Sequence, residues 1–134
     1  MKVVIDAENG MKGRIASFAA KQALLGNEIV VVNSEKALIS GDEKMNLADF
    51  KFQRGINTIK PTKGPFFSRD PEKIMKRAIR GMLPDYRKGR GREAWKRIKC
   101  YMGIPEEFKN EKTIKIETKL PRKTITLKKL GELV

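Results

Sequence analysis

The sequence predicts an α/β domain, because a strand, a helix and a second strand follow one another at its start. Residues 3–5 are a short β-branched apolar run, which is typical of a buried strand. Residues 14–25 place apolar side chains at offsets of three and four, which predicts a helix that stops at Gly26. Residues 28–33 are mostly apolar without alternation, as in a strand covered on both faces. The right-handed crossover of this βαβ unit makes its two strands parallel.

The next part of the chain predicts a helix and then a long loop. Ser40 or Asp42 can cap a helix that runs to about Phe52, because either side chain can accept a hydrogen bond from the first helical turn. Residues 55–70 contain two glycines and two prolines, so we expect an irregular loop. Loops of this length in a compact domain are usually functional or disordered.

Two more helices are predicted after the loop. Asp70 as N-cap and Pro71 at the first helical position start a helix over 71–82. A basic turn over 85–91 leads to a further helix over about 92–102, which is ended by the glycine and proline that follow it. The inward face of this last helix is predicted to carry Ala94, Trp95, Ile98 and Met102.

The C-terminal part predicts short strands and a final helix. Residues 114–116 and 125–127 alternate isoleucine or leucine with a polar residue, which favours one or two strands. Residues 128–134 fit a short helix. Since the chain has 134 residues, we expect one domain over residues 1–134.

The composition excludes several classes of function. The chain has no histidine, which removes the commonest general base and metal ligand, and a single cysteine excludes an internal disulfide. We therefore expect no metal, no cofactor and a protein of the reducing cytoplasm. The cysteine, Cys100, is expected to be a buried, inert thiol on the helix over 92–102. The longest aliphatic run, residues 29–32, is too short to cross a bilayer, and the N-terminal residues lack the apolar length of a signal peptide.

Positive charge is concentrated in one segment of the chain. The forty residues from 60 to 99, here called the basic segment, hold fourteen lysines and arginines against four acids, a formal charge of +10 within a total of +14. Such an excess predicts a polyanionic partner, because unpaired like charges repel one another. Seven of the fourteen are arginines, which bind phosphate through paired hydrogen bonds. The candidate RNA-binding residues are Lys60, Lys63, Arg69, Lys73, Lys76, Arg77, Arg80, Arg87, Lys88, Arg90, Arg92, Lys96, Arg97 and Lys99.

The loop over 60–69 within the basic segment shows no apolar periodicity. We therefore expect it to be held loosely in the free protein and to become ordered when RNA binds. Phe66, Phe67 and Tyr86 could stack on bases, although packing in the core is equally compatible with the sequence. Gly91 is one of four glycines here that would let the backbone approach a partner closely.

Two rival functions remain open from the residues alone. The turn over 6–14 lies between a strand and a helix, where backbone N–H groups can contact a phosphate, so the alternative is a small nucleotide-binding α/β enzyme. This turn lacks the complete glycine pattern of nucleotide-binding motifs, and Asp6 and Glu8 are expected to serve the turn rather than catalysis. The second rival, binding to an anionic membrane, needs bulky apolar residues free to insert. Those residues are expected in the core, so we expect no membrane and no small-molecule substrate.

Several sequence blocks are similar to those of a known family. Four lie in the basic segment and just beyond it: Gly64-Pro-Phe-Phe-Ser-Arg-Asp-Pro71, Arg80-Gly-Met-Leu-Pro84, Gly91-Arg-Glu-Ala94 and Ile98-Lys-Cys-Tyr-Met-Gly-Ile-Pro105. Four more precede them: Val4-Ile-Asp-Ala7, Gly13-Arg-Ile-Ala-Ser17, Val31-Val-Asn-Ser-Glu35 and Ile39-Ser-Gly41. Over about residues 3–108 the chain resembles the universal large-subunit ribosomal protein 13 family, and the Gly-Pro-Phe-Phe loop resembles its archaeal and eukaryotic branch.

The resemblance implies both a fold and a function. The fold would be a three-layer α/β/α single domain with a mostly parallel sheet of about four strands, followed by a variable C-terminal tail over 110–134. The function would be that of a non-catalytic structural constituent of the large ribosomal subunit in the cytoplasm. Its partners would be large-subunit ribosomal RNA and neighbouring ribosomal proteins. RNA contact is implied for the loop over 60–69, for Arg80 and for the stretch 87–99.

Overall fold

A computed structural model of the chain describes residues 1–56, 59–60 and 64–134. The strands of this described part are β1 (Lys2–Asp6), β2 (Glu28–Val32), β3 (Leu38–Ser40), β4 (Ile98–Cys100), β5 (Thr113–Lys115) and β6 (Thr124–Thr126). The α-helices are α1 (Lys12–Leu24), α2 (Glu43–Gly55), α3 (Pro71–Gly81), α4 (Gly89–Lys96) and α5 (Leu127–Leu133). Two short 3-10 helices cover Ser34–Lys36 and Glu106–Phe108.

Four strands form the main sheet in the order β4-β2-β1-β5, and all three neighbouring pairs are parallel. Val31 of β2 lies opposite Ile5 of β1 and Cys100 of β4, and Ile5 lies opposite Ile114 of β5. Because parallel strands need a crossover connection, α1 connects β1 to β2, as the βαβ pattern predicted. The predicted α/β class with a mostly parallel sheet of four strands is confirmed.

One face of the main sheet packs against helices. Ile5, Ile29 and Val31 point to this face and form the larger core with the helical residues Ile15 and Met75. These two residues belong to α1 and α3, and α4 joins the same core. Since apolar burial is the main favourable term in folding, this core holds α3 firmly and leaves its other side free for function.

The second face of the main sheet has a thinner cover. Val4, Val30 and Val32 pack there against Phe108 from the second 3-10 helix and against the partly buried Tyr101. In the part of the chain that the structure describes, this face thus carries a short turn and two aromatic rings where the resemblance implied a second helical layer.

A two-stranded sheet joins the C-terminal segment to the middle of the chain. β3, which the sequence did not predict, pairs with β6 in antiparallel orientation. Ile125 and Leu130 then pack with Phe50 of α2 in a separate apolar cluster. Both predicted C-terminal strands are present, but they belong to different sheets. Leu127, predicted in a strand, begins α5, because the Thr126 hydroxyl caps this helix by accepting a hydrogen bond from its first turn.

The helix predicted over 92–102 is wrong in its second half. α4 ends at Lys96, and residues 98–100 form β4 beside β2. The open edge of β2 explains the difference, since a backbone N–H of β2 donates to the Arg97 carbonyl at 2.9 Å. A strand of three residues is too short for its alternation to be visible in sequence, so Ile98 fitted the helical spacing equally well. Met102, expected to face inward, is 49% exposed.

Candidate nucleic-acid interface

The exposed side of α3 carries a row of four cations. Lys73 is three and four residues before Lys76 and Arg77, and Arg80 is four and three residues after them, so the four lie on one face of the helix. The buried residues of α3 occupy the other face and fix it to the core. Together with Phe66, Ser68 and Trp95 the four cations line a groove of about 220 Å³, here called the α3 groove.

Three of these cations rest on aromatic rings that come from other parts of the chain. The distances to the ring centres are 3.9 Å for Arg77 on Phe67, 4.9 Å for Lys76 on Trp95 and 4.6 Å for Arg80 on Tyr86. Cation–π contact of this kind limits the motion of long side chains. It also fixes the Phe67 and Tyr86 rings within the fold, with one face of each ring covered by an arginine. Phe66, which is 69% exposed, is the exception.

The described part of the loop over 60–69, here called the basic loop, is anchored to the fold. Arg77 donates a hydrogen bond to the Phe66 carbonyl at 3.2 Å, and Arg54 of α2 donates one to the Phe67 carbonyl at 3.1 Å. The Phe67 ring packs against the cluster of Phe50 and the C-terminal helix. The expectation that nothing ties this loop to the core is therefore wrong for Phe66 and Phe67, where the contacts come from residues distant in sequence.

The C-terminal helix α5 packs against the C-terminal end of the loop. Gly131 of α5 lies directly against the carbonyl of Arg69, and a Cβ at this position would overlap the carbonyl oxygen. Glycine permits this approach because it has no side chain. α5 thus sets the position of the chain at the point where the loop enters α3.

Few acids balance the α3 groove. Lys73 pairs with Asp70 at 3.3 Å, and both partners are exposed, so this pair is worth little. Burial first, and the nearby charge of Arg80 second, lower the pKa of Arg77 from its usual value. An anion in this groove would be stabilised by several cations at once, because the four cations line the same surface.

A second group of candidates surrounds the start of α4. Arg87, Lys88, Arg90 and Arg92 are all exposed. Arg87 donates to the Tyr86 hydroxyl at 3.3 Å, and this hydrogen bond lowers the pKa of Tyr86. Arg87 therefore continues the α3 groove through a shared ring.

Gly91 permits close packing within the chain, whereas the sequence suggested that it lets the backbone approach a partner. A Cβ on Gly91 would meet the backbone of Pro84 and Asp85, so the close approach is between two parts of this chain. Arg90, one residue earlier, borders a different surface, where it lies near Lys21 and Met82. The second group is thus split between the α3 groove and the outside of α1.

The third group, at the edge strand β4, does not join the α3 groove. Lys96, Arg97 and Lys99 line a separate depression with three acids, Glu28, Glu93 and Glu107. Arg97 donates to the Ala23 carbonyl at 3.0 Å. This contact satisfies the C-terminal end of α1, where a cation is favoured by the helix dipole, so Arg97 has a structural role.

The remaining candidates lie in the loop. Lys60 and Arg69 are exposed, and Arg69 is next to the N-terminus of α3. Lys63 lies outside the described residues. The structure therefore brings together Lys73, Lys76, Arg77, Arg80 and Arg87, and distributes the other described candidates over neighbouring surfaces.

The turn over 6–14 is closed on itself. One oxygen of Asp6 accepts hydrogen bonds from the Glu8 N–H and the Asn33 side chain, both at 3.0 Å. Gly10 packs on Ile15 so closely that a Cβ would lie 2.7 Å from its terminal carbon. These contacts agree with the expectation that Asp6 serves the turn.

The described residues give no sign of redox, metal or membrane chemistry. Burial raises the pKa of the Cys100 thiol to about 12, so it stays protonated at neutral pH and is inert as predicted, although it lies on β4 and not on a helix. Over the described ranges, no group of three His, Cys, Asp or Glu side chains is placed to hold a metal ion. Within the same ranges, no helix has the length and apolar character to cross a membrane.

Two basic residues close to this interface escaped the sequence argument. Arg54 holds the loop, and Lys12 of α1 lies beside Lys73 and Arg77 in a pocket next to the α3 groove. Both precede the basic segment, and the charge count that defined that segment could not include them. Only their proximity in the fold connects them to it.

Comparison with known proteins gives the family. Residues 1–107 match the family described as ribosomal protein L13. The large ribosomal subunit protein uL13 of Archaeoglobus fulgidus is 46% identical over 122 residues, which are 90% of this chain and 75% of that protein. The uL13 of Methanosarcina barkeri is 46% identical over 84% of this chain and 79% of its own length. For that of Thermoplasma volcanium the identity is 38%, over 97% and 93%. These matches support the archaeal branch, and the chain belongs to the ribosomal protein L13 family.

Proposed function

We propose that this protein is a structural constituent of the large ribosomal subunit in the cytoplasm and that it binds large-subunit ribosomal RNA through the α3 groove. Membership of the ribosomal protein L13 family supports the first part. The second part is carried by one observation, the row of four cations on α3 of which three are held on aromatic rings.

The proposed mechanism is neutralisation of phosphates by cations that are already in position. A free lysine or arginine loses side-chain entropy when it binds, whereas a cation held on a ring has lost part of it in advance. RNA helices are recognised mainly by shape and by contacts to their phosphates and 2′-hydroxyls. A rigid row of charges on one helix suits this kind of recognition.

The other candidates have graded roles in the proposal. Arg87, which shares the Tyr86 ring with Arg80, extends the groove. Lys60, Lys63, Arg69, Lys88, Arg90, Arg92, Lys96 and Lys99 are proposed as peripheral contacts around it. Arg97 is proposed to act through the structure of α1. Because β5 adds a strand beside β1, we also treat residues 1–134 as one domain that includes the C-terminal tail.

A catalytic function is not favoured. The enzyme alternative rested on the turn over 6–14, where the carboxylate of Asp6 and the close packing of Gly10 are both used inside the fold. Family membership gives no support to an enzyme. The neighbouring ribosomal proteins remain partners proposed from the family.

The test compares two triple variants of the full chain in binding to archaeal large-subunit ribosomal RNA. In the first, Lys73, Lys76 and Arg80 are replaced by Gln, while Arg77 is kept because it anchors the loop. In the control, three exposed lysines elsewhere, Lys44, Lys51 and Lys112, are replaced by Gln, so the net charge is the same. Each lost phosphate contact should lower the slope of log affinity against log salt by about 0.7–0.9. We expect a slope lower by roughly 2–3 in the first variant and little change in the control, and equal slopes would exclude the α3 groove.

A further inference from the structure

A second pocket adjoins the α3 groove. It has a volume of about 200 Å³ and lies between α2, α3 and α5. Its walls are mostly apolar and come from Phe50, Phe67, Ile74, Ala78 and Leu130. The two cavities share Ser68, Lys73 and Arg77, so an RNA chain that follows the α3 groove passes the mouth of this pocket.

Of the residues that the structure describes, three cations and no acid line the pocket. Lys73 and Arg77 come from α3, and Lys12 comes from the first turn of α1. The Lys12 side chain has neither a hydrogen bond nor an ion pair with any residue that the structure describes, and its burial lowers its pKa. The first turn of a helix also disfavours a cation, because the positive end of the helix dipole lies there. Lys12 is thus held where the free protein gives it no compensation.

We propose that this pocket binds one unpaired nucleotide of the ribosomal RNA, with its base between the apolar walls and its phosphate on Lys12, Lys73 and Arg77. This inference rests on the proposed function. A cavity of about 150 Å³ is known to hold benzene, so 200 Å³ is enough for a single pyrimidine ring. A base pair is too large to enter.

The chemistry of the lining favours a nucleotide over other ligands. An inorganic phosphate would leave the apolar walls unused, and an aliphatic chain would leave Lys12 without a counter-charge. An unpaired nucleotide uses both, since its base has an apolar face and its phosphate has a negative charge. RNA proteins commonly recognise unpaired bases by placing them against aromatic side chains, and Phe50 and Phe67 supply these here.

The test measures binding of the full chain to two RNA pentamers with the same number of phosphates, pentauridylate and an abasic pentamer. Contact of one base with aromatic walls is worth roughly 1–3 kcal/mol, or roughly 5- to 150-fold in affinity. We expect the wild-type protein to prefer pentauridylate by at least about fivefold. Ala78→Leu, which fills the pocket, should reduce this preference to about onefold and leave binding of the abasic pentamer unchanged.

Lys12→Gln supplies a second readout that does not depend on repacking the pocket. It should weaken both pentamers by about tenfold or more, because the phosphate loses a charged hydrogen-bond donor. Lys21→Gln is its matched control, since Lys21 is an exposed lysine of the same helix at the opposite end. This control should change affinity by less than about twofold.

Three outcomes would overturn the proposal. Equal binding of both pentamers to the wild-type protein would mean that the pocket holds no base. Loss of the preference in Phe66→Ala, but not in Ala78→Leu, would assign it to the exposed ring of the α3 groove. Uridine monophosphate binding as tightly as the pentamer would make the pocket a site for free nucleotides. The proposed function would survive each of these results, provided that the triple variant of α3 still lowers the salt slope with ribosomal RNA.

Discussion

The guanidinium carbon of Arg77 lies 3.9 Å from the centre of the Phe67 ring. The Arg77 side chain also donates a hydrogen bond to the carbonyl of Phe66, the residue before Phe67. One arginine of α3 thus fixes both the ring and the backbone of the basic loop. A residue predicted only as a source of positive charge therefore also determines the shape of the surface on which that charge is presented.

Replacing Arg77 with Lys should weaken RNA binding although the charge is kept. Lysine has no planar guanidinium that could stack on Phe67 and donate to Phe66 at the same time. A cation–π contact at a partly exposed site is worth about 0.5–1 kcal/mol, so we expect affinity for ribosomal RNA to fall roughly two- to fivefold. Amide exchange at residues 66–68 should also become faster.

Arg122→Lys is the control for this substitution. Arg122 is an exposed arginine outside the basic segment, and no hydrogen bond, ion pair or ring contact ties its side chain to the described residues. Its replacement should leave both the affinity and the exchange rates of residues 66–68 close to the wild-type values. If the two variants behave alike, the charge of Arg77 matters and its contact with Phe67 does not.

The local part of this interface was predictable from the sequence. The spacing of Lys73, Lys76, Arg77 and Arg80, together with the Asp70–Pro71 start, determines a helix with one cationic face. These are signals within about ten residues, where helix periodicity and a proline at the first helical position act. The predicted capping hydrogen bonds are absent, because neither the Asp70 side chain nor that of Asp42 bonds to the first turn of its helix. The same reasoning gave α1, β1 and β2 with bounds close to those observed.

The tertiary part was not predictable, for identifiable physical reasons. Lys12 and Arg77 meet because α1 and α3 pack on the same face of the sheet, and no local pattern records this. β4 was missed because the free edge of β2, and not the propensity of residues 98–100, makes them a strand. The contact between Gly131 and Arg69 joins residues that are far apart in the sequence, and only the folded arrangement of the elements between them brings them together.

Replacing Gly131 with Ala should disturb the basic loop from the C-terminal helix. The added Cβ would overlap the carbonyl of Arg69, so α5 or the loop must shift. Overpacking of this kind costs about 1–3 kcal/mol, which we expect as a loss in the free energy of unfolding measured with urea. Exchange at residues 66–69 should rise more than in β1 and β2, because the shift is local.

Gly13→Ala serves as the matched substitution. Gly13 lies in α1 with open space around its Cα, so a methyl group meets nothing. Alanine in a helix is about 0.5–1 kcal/mol more favourable than glycine, and this variant should be as stable as the wild type or more so. A loss of stability at Gly13 similar to that at Gly131 would show that contact with Arg69 is not the cause.

The last prediction concerns the effect of Lys12 on stability as a function of pH. Burial lowers the pKa of Lys12 below the value of 10.5 that it has in the unfolded chain. The unfolded state therefore binds more protons than the folded state between these two pKa values, so stability rises with pH across this window. Below the window both states carry the charge, and the folded protein bears the full cost of burying it.

Lys12→Met should consequently be more stable than the wild type at pH 7, and the difference should shrink as the pH approaches 10.5. Lys21→Met, at an exposed position, should stay within about 0.5 kcal/mol of the wild type at every pH. Urea denaturation at pH 7, 8.5 and 10 gives the free energy of unfolding of the wild type and of both variants. If Lys12→Met is less stable than the wild type at pH 7, Lys12 has a stabilising partner in the free protein, and its charge is already compensated before a phosphate binds.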